Sequence, residues 1–327
     1  MRFFQDVSGL EAELQNVDRM ARDYSADQLF RQPLSDVLDS VFSNPGKRLR
    51  SALVLLFGRF GPDYPSCSER LKKAAVIVEL THMASLIHDD IVDDAPLRRG
   101  KPSIQSAFGK DIAVYGGDYL LSCVLRAVTE PDMLEIAPLL SQRIADMCSG
   151  EMSQHQSRFD EALDENRYFM TISGKTAALF SAACEIGAMV SGCTQYTTAI
   201  AGRFGHSLGI LFQLRDDLLD CLPTREDVGK PQGVDFANGI YTLPVIYSFA
   251  DPVHGPILKE LAKASHETVP EDLLRQLHSL VSEAGGLDYT RWMMKQYRER
   301  AIHALSQLPA HEVKLPLTSV LDELLAC

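Results

Sequence analysis

Two aspartate-rich clusters of identical pattern place the strongest constraint on this chain. Each reads Asp-Asp-x-x-Asp, at residues 89–93 and again at residues 216–220. On an α-helix the first and last aspartate of such a cluster project from one face, where their like charges repel and weaken the helix. A hard divalent cation with oxygen ligands reverses that penalty. Two such clusters facing each other would therefore hold several Mg²⁺ ions and a polyphosphate.

A single acidic cluster has a simpler explanation, because most charged runs are solvated helix faces. Long apolar stretches precede both clusters here, which indicates that the helices carrying them are mostly buried. Carboxylates at the ends of buried helices favour contact with a ligand over a purely solvated surface. The repeated pattern is therefore interpreted as a metal site.

Helical periodicity runs through almost the whole chain. Residues 71–94 contain no Gly or Pro, and their apolar residues recur at helical spacing. Strand-type alternation is nearly absent, and none of the breaks resembles a flexible interdomain linker. The expected breaks are residues 58–68, 94–110, 221–241, 251–256 and 283–287. We predict an all-α fold, a single domain over residues 1–327 with about ten or more helices.

Composition and charge argue against several classes of function. A net charge of −12 disfavours a general surface for nucleic acid or anionic membranes, so no nucleic-acid partner is expected. The seven cysteines show neither a CxxC pair nor zinc spacing, which is typical of reduced thiols. No secretory signal is evident, and no uncharged apolar run approaches the roughly 18 residues that span a bilayer. A cytoplasmic protein without a membrane span is expected.

Basic residues accompany the acidic clusters along the chain. They are Lys47, Arg48 and Arg50 after the turn at Pro45-Gly46, Arg98, Arg99 and Lys101 after the first cluster, Lys175 in Gly174-Lys175-Thr176, and Lys230 after the second cluster. Each group alone would be an ordinary solubilising surface. Their alternation with carboxylates suits two diphosphate substrates. The Lys175 motif lacks the spacing of a P-loop.

At these residues the chain resembles the trans-isoprenyl diphosphate synthases, the family of farnesyl and polyprenyl diphosphate synthases. The resemblance is collinear from about Gly46 to Pro309. It rests on GKRLR at 46–50, HDDIVDDAPLRRGKPS at 88–103, GGDYLL at 116–121, GKTAALF at 174–180, FQLRDDLLD at 212–220, GKPQGVDFANGIYTLP at 229–244 and GGLDYTRWMMKQY at 285–297. It implies a helical bundle around a central substrate cavity, a homodimer, and about three Mg²⁺ ions per active site.

The resemblance also implies roles for individual residues. The metal ligands would be Asp89, Asp90, Asp93, Asp216, Asp217 and Asp220, with Asp94 assisting. The allylic diphosphate would be held by the ions with Arg98, Lys175 and Lys230, and isopentenyl diphosphate by Gly46, Lys47, Arg50, His82 and Arg99. Thr176 and Gln213 would present dipoles to the allylic cation, so the expected catalytic residues are Lys175, Thr176, Gln213 and Lys230. An ordinary core histidine is the alternative for His82 and His88.

The implied reaction is a Mg²⁺-dependent condensation of isopentenyl diphosphate with an allylic diphosphate. The metal ions and basic groups stabilise the leaving diphosphate, and an apolar cavity keeps water from the carbocation. No side-chain base is evident, and in the family the departing diphosphate takes the proton.

Product length is expected to depend on small residues in the helix that carries Asp89. Ala84 lies five positions before Asp89, about 7.5 Å along a helix, and Ser85 lies beside it. Bulky aromatic residues at these positions stop elongation early in the family, whereas Ala-Ser resembles the longer-chain enzymes. This resemblance implies an all-trans product of about C30 or longer, where one further helical turn adds about 5.4 Å of depth. A short-chain synthase of about C15–C20 is the alternative.

The chain departs from the family pattern at three places. Ser51 stands where proline is usual after GKRLR, Pro45 replaces the commoner glycine, and the C-terminus lacks the basic tail often seen. Three alternatives remain: a catalytic subunit that needs a partner, a non-catalytic subunit of a heteromeric synthase, and a terpene cyclase. The intact aspartates speak against the second, and the implied site for isopentenyl diphosphate against the third.

Overall fold

A computed structural model gives the fold. It describes residue 4 and residues 7–26, 32–43, 46–222, 233–264 and 271–326. Within these ranges the regular structure is almost entirely α-helical, which confirms the all-α prediction. The helix count of the described part exceeds the ten predicted.

The breaks predicted at 58–68, 251–256 and 283–287 each separate two helices, whereas two short helices lie inside the breaks predicted at 94–110 and 221–241. The helices are α1 (Leu10–Ser25), α2 (Leu34–Phe42), α3 (Leu49–Gly58), α4 (Ser68–Val92), α5 (Ile104–Phe108), α6 (Lys110–Val128), α7 (Ala137–Gln156), α8 (Glu165–Ile172), α9 (Ala178–Val190), α10 (Gln195–Asp220), α11 (Val234–Ala237), α12 (Leu243–Phe249), α13 (Gly255–Ala264), α14 (Glu271–Glu283), α15 (Gly286–Gln307) and α16 (Lys314–Leu325). A 3₁₀ turn covers Leu134–Ile136, and a π-helical turn covers Ser173–Ala177.

One short β-hairpin was not predicted. It pairs β1 (Leu97–Arg98) with β2 (Lys101–Pro102) inside the predicted break at 94–110. Arg99 and Gly100 form its turn with φ of 52° and 77°. Positive φ at both central residues is the geometry that matches the twist of a two-residue hairpin. Two-residue strands are too short to show alternation, so the sequence carried no strand signal here.

The described chain comprises two compact units. Unit 1 contains Met1–Ser141, Leu179–Gly202 and Gln307–Leu317, and unit 2 contains Gln142–Ala178, Arg203–Ser306 and Thr318–Cys327. The prediction of a single domain over residues 1–327 stays a prediction.

Unit 1 is built around α4, which packs against α1, α3 and α6. The middle of α4 is buried on every side, from Ala74 to Thr81, as expected of a helix that is apolar all round. The helix ends at Val92, and Asp94 follows it with a left-handed φ of 49°. This ending leaves the first aspartate cluster at the C-terminal end of a buried helix.

Unit 2 gathers α8, the second part of α10 and α11–α15. Leu211, Leu214 and Leu218 of α10 are fully buried, and Tyr168 of α8 is nearly so. The ring of Phe169 stacks on Tyr297 of α15 with centroids 5.7 Å apart. The second aspartate cluster therefore also ends a largely buried helix, as the apolar run before it predicted.

Among the described residues, no helix is both long enough and apolar enough to cross a membrane.

Candidate active site

The first aspartate cluster separates into one anchored and several more accessible carboxylates. Asp90 is 3% exposed. Its Oδ1 accepts hydrogen bonds from Nη2 of Arg98 and, at 2.8 Å, from Nε of Arg98. Asp89 is half-buried and Asp93 is exposed. Asp90 thus ties the β-hairpin to the end of α4. Its predicted role as a metal ligand and that of Arg98 as a diphosphate ligand stay predictions.

The second cluster repeats this arrangement. Asp217 is 2% exposed and accepts hydrogen bonds from the hydroxyl of Tyr168 and, at 2.8 Å, from Nε2 of Gln213. Asp216 is exposed, and Asp220 is half-buried. In each cluster the second aspartate is therefore the most buried member.

Burial and negative charge raise the pKa values of the second cluster. Burial raises the pKa of Asp217 to about 7, and the charge of Asp235 adds to the effect. Burial, followed by Asp235, raises the pKa of Asp220 to about 8. Desolvated carboxylates that repel one another fit a divalent cation, because its charge stabilises their ionised forms.

The described part of the chain gives these carboxylates no preformed metal site. Within the described ranges, no three His, Cys, Asp or Glu side chains are grouped to hold a metal ion by themselves. Mg²⁺ does not require such a cage, since it commonly binds one or two carboxylates together with waters and substrate phosphates. The clusters suit Mg²⁺ bound jointly with a diphosphate.

Unit 2 contains a cavity beside the second cluster. It occupies about 540 Å³ including its mouth. Its lining includes Lys175, Gln213, Asp217, Asp235, Tyr168, Thr171 and Tyr241. Three residues predicted at scattered positions in the sequence, Lys175, Gln213 and Asp217, thus line one cavity. Lys230, predicted to bind the same diphosphate, lies outside the described residues.

A hydrogen-bonded chain fixes Gln213. Thr176 donates to Oε1 of Gln213 at 2.6 Å, and Nε2 of Gln213 donates to Asp217. Thr176 and Lys175 belong to the π-helical turn, a feature that is frequent at functional sites. Nζ of Lys175 lies 3.0 Å from Oε2 of Glu151. The dipole of Gln213 is therefore oriented by both of its amide atoms.

Unit 1 contains a second cavity beside the first cluster. It occupies about 610 Å³ including its mouth. Its lining includes Glu79, His82, Met83, Leu86, Asp90, Arg98, Arg99 and Lys101. Lys47 is exposed at the turn before α3. The cavity combines an apolar face of α4 with three cationic side chains of the β-hairpin, a composition suited to a phosphorylated hydrocarbon.

The structure brings together the residues predicted to hold isopentenyl diphosphate. Nη1 of Arg50 lies 3.1 Å from Nε2 of His82, and the guanidinium of Arg50 lies 4.3 Å from the ring centroid of Phe180. Burial and the charge of Arg50 hold the pKa of His82 well below its usual range. His82 is therefore neutral and accepts a hydrogen bond from Arg50.

Gly46 lies directly against Arg99. A Cβ added to Gly46 would come within 2.2 Å of Nη1 of Arg99, and the glycine has a φ of 69°. Only a residue without a side chain allows the guanidinium this close. The interpretation of Gly46 as part of the diphosphate site gains a steric reason.

The two predicted chain-length residues lie outside the lining of the unit 1 cavity. Ala84 is fully buried, and the hydroxyl of Ser85 donates to the carbonyl of His82 at 2.9 Å. Ala84 shares a helix face with His88, which packs against Gly117 of α6. His88 also lies 3.3 Å from Asp118 of α6. The prediction that Ala84 and Ser85 line the path of the growing chain stays a prediction.

Four residues with close contacts to the predicted site were not singled out from the sequence. They are Glu79, Glu151, Tyr168 and Asp235. Glu79 had a usable signal, because it is a carboxylate inside an apolar helical run, one turn before His82. Tyr168 and Glu151 had none, since their partners are far away in the chain.

Known proteins resemble this chain over most of its length. A match to the family described as "Polyprenyl synthetase" covers residues 31–280. A heptaprenyl diphosphate synthase component 2 from Bacillus subtilis (strain 168) is 33% identical over 315 residues, or 96% of this chain and 86% of the relative. The chain belongs to the polyprenyl synthetase family, and it is an enzyme of the prenyl diphosphate synthase class.

Two solved structures share the fold. A polyprenyl synthase from Caulobacter crescentus CB15, complexed with calcium and isoprenyl diphosphate, has a TM-score of 0.88 and 28% identity, covering 97% of this chain and 95% of its own. A geranylgeranyl pyrophosphate synthase from Lactobacillus brevis ATCC 367 has a TM-score of 0.87 and 26% identity, covering 99% of each chain. The names of these two proteins refer to products of different kinds. The fold alone therefore does not define product length.

Proposed function

We propose that this enzyme is a Mg²⁺-dependent trans-prenyltransferase that condenses isopentenyl diphosphate with an allylic diphosphate. The observation that carries the proposal is the pairing of Arg50 with His82 and of Arg99 with Gly46, in the same unit as the first aspartate cluster. A second diphosphate needs its own cationic site, which a hydrolase or cyclase of one diphosphate does not. The relatives' names support the same reaction class.

In unit 1 the proposed role is to bind isopentenyl diphosphate. Arg50 and Arg99 present planar guanidinium groups that suit bidentate contacts with phosphate. The neutral His82 orients Arg50 by accepting its hydrogen bond, and Gly46 leaves room for Arg99. The apolar face of α4 in the cavity, with Met83 and Leu86, accommodates the hydrocarbon.

In unit 2 the proposed role is to bind and ionise the allylic diphosphate. Mg²⁺, held by carboxylates of the clusters, would supply the Lewis acid that stabilises the leaving group. Lys175 adds a fixed positive charge for the same diphosphate. The oxygens of Gln213 and Thr176 direct negative dipole ends toward the allylic cation, and the hydrogen bond between them keeps these dipoles in place.

We propose a product of about C30 or longer, because Ala84 is small and a rise of about 7.5 Å separates it from Asp89. The heptaprenyl relative supports this length class. A short-chain product is the alternative, since one solved structure of the same fold is named a geranylgeranyl pyrophosphate synthase.

A catalytic subunit of a heteromeric synthase is the second candidate. The Bacillus subtilis relative is named component 2, which favours a partner subunit for this chain as well. A homodimer and a cytoplasmic location stay predictions.

A turnover assay of the purified chain tests these proposals together. It contains Mg²⁺, radiolabelled isopentenyl diphosphate and allylic primers of graded length. Turnover of the chain alone supports an independent enzyme, and turnover only after addition of a lysate from the source cells supports the partner model. Asp89→Ala and Asp216→Ala should each lower turnover by roughly 1000-fold or more, since metal-bound charge stabilisation is lost. Asp288→Ala, a change at a carboxylate exposed on α15, is the control. Near-normal turnover of both cluster variants would contradict the metal assignment.

A further inference from the structure

Glu79 is a buried carboxyl group that the proposed reaction does not use. It lies on α4 one turn before His82, is 4% exposed, and lines the unit 1 cavity. Its Oε2 accepts a hydrogen bond of 2.5 Å from the hydroxyl of Ser51, itself 1% exposed. A buried carboxyl is retained in a protein only where hydrogen bonds and opposite charges compensate for its desolvation.

The surroundings of Glu79 supply that compensation. Burial raises its pKa, while the hydrogen bond from Ser51 and the positive charges of Arg50 and Arg99 act in the opposite direction. The carboxyl group therefore lies within electrostatic reach of both guanidinium groups assigned to the second diphosphate. A carboxylate beside a diphosphate site weakens binding of the diphosphate by repulsion. It can favour binding only if it fixes the geometry of the arginines that contact the diphosphate.

Arg50 shows how such fixing works. Its guanidinium is placed by the neutral His82 and by the ring of Phe180, and Ser51 is the next residue in α3. Glu79 and His82 lie three positions apart on α4, hence on one face. Ser51 and Glu79 thus join α3 to α4 immediately beside the Arg50–His82 contact.

We propose that Ser51 and Glu79 form a positioning pair for the diphosphate of isopentenyl diphosphate, an inference that rests on the proposed function. The Glu79 carboxylate orients Arg50 and Arg99, and the Ser51 hydroxyl holds that carboxylate in place.

Substitutions at Ser51 separate this role from simple packing. Ser51→Ala and Ser51→Val both remove the hydroxyl, and valine has the shape of the threonine in the rescue variant. Ser51→Thr retains the hydroxyl and should restore wild-type behaviour. Ser25→Ala is the matched control, because Ser25 is a fully buried serine of unit 1 whose hydroxyl donates to the carbonyl of Ala21.

The expected result is a selective change in the Michaelis constant. Loss of the Ser51 hydroxyl should raise KM for isopentenyl diphosphate about 5- to 10-fold, equivalent to about 1.0–1.4 kcal/mol and so to one ordinary hydrogen bond. Glu79→Gln should raise KM for isopentenyl diphosphate more strongly, by roughly 30-fold relative to the wild type, because Arg50 and Arg99 both lose their counter-charge. KM for the allylic substrate and kcat should stay within about twofold, a split that general destabilisation does not produce.

Failure of this inference is distinguishable from failure of the proposed function. If the wild-type enzyme condenses the substrates and the two Ser51 variants keep its KM for isopentenyl diphosphate, the positioning pair is refuted and the function stands. If the wild-type enzyme shows no turnover, calorimetric titration of isopentenyl diphosphate into the same variants decides: a weaker Kd supports the pair, and an unchanged Kd refutes it. Should Glu79→Gln fail to fold, the Ser51 variants still give the answer.

Discussion

The hydroxyl of Tyr168 donates a hydrogen bond to Oδ2 of Asp217, joining α8 to the second aspartate cluster at the end of α10. Both side chains are almost completely buried. The other carboxylate oxygen, Oδ1, accepts from Gln213. Asp217 is therefore oriented at both oxygens, and through Gln213 it also orients an amide assigned to the allylic cation.

Replacement of Tyr168 by Phe should loosen this arrangement. We expect a loss of about 1–3 kcal/mol in the free energy of unfolding, because a buried charged acceptor loses its donor. We also expect about a tenfold fall in kcat/KM for the allylic substrate and a higher Mg²⁺ requirement. Steady-state kinetics at graded Mg²⁺ and urea unfolding measure these effects. Tyr196→Phe, which removes a hydrogen bond from an exposed tyrosine to Gln307, is the control. Wild-type kinetics of Tyr168→Phe would show that Asp217 needs no orientation.

Replacement of Gly46 by Ala should act through Arg99. The new methyl group would overlap the guanidinium, which is the movable end of a flexible side chain, so the protein should fold with Arg99 displaced. KM for isopentenyl diphosphate should rise by roughly tenfold, equivalent to about 1.4 kcal/mol. Gly9→Ala is the matched control: Gly9 has a φ of 79°, so the backbone strain is similar, but nothing lies within 4 Å of the added Cβ. Equal KM values for the two variants would rule out a specific role of the Gly46–Arg99 contact.

His82 should make the protein less stable in acid. Its pKa in the folded state is held well below its usual range by burial and Arg50, whereas the unfolded chain titrates near about 6.5. Below that value the unfolded state binds the proton more readily, so this contribution to stability is present at neutral pH and is lost as pH falls. The protein should therefore be less stable at pH 5 than at pH 8 through this group.

Urea unfolding of wild-type protein and His82→Gln at both pH values tests this linkage. Glutamine retains an acceptor for Arg50 and does not titrate, so the variant should lose less stability than the wild type on acidification. His278→Gln, a change on α14 of unit 2, is the control. An identical pH dependence for His82→Gln and wild type would show that folding does not lower the pKa of His82.

Replacement of Ala84 by Phe should shorten the product if Ala84 borders the path of the growing chain. Because Ala84 is fully buried, overpacking should also destabilise the protein by about 1–3 kcal/mol. Chromatography of the dephosphorylated products measures chain length, and thermal melting measures stability. Ala75→Phe repeats the overpacking at another fully buried alanine of α4, about 13.5 Å away along the helix, and should leave the product unchanged. A wild-type product from a folded Ala84→Phe enzyme would place the elongation path elsewhere.

Local sequence signals predicted several of the helical boundaries. The breaks at 58–68, 251–256 and 283–287 each separate two observed helices, because glycine, proline and apolar periodicity act within a few residues. The β-hairpin at 97–102 escaped prediction, since its geometry depends on one turn rather than on alternation. The π-helical turn at Ser173–Ala177 had no sequence signature either.

The sequence by itself determined the helical class, the family and the set of charged residues, since spacing and residue chemistry are properties of the chain. Only the tertiary structure decided which of these groups are buried and with whom they pair. Asp90 and Asp217 are indistinguishable from their neighbours in the sequence, yet each is the buried member of its cluster. The partners that anchor Asp217 and Glu79, namely Tyr168 and Ser51, lie 49 and 28 positions away in the chain. Such contacts form when helices pack, and no local pattern records them.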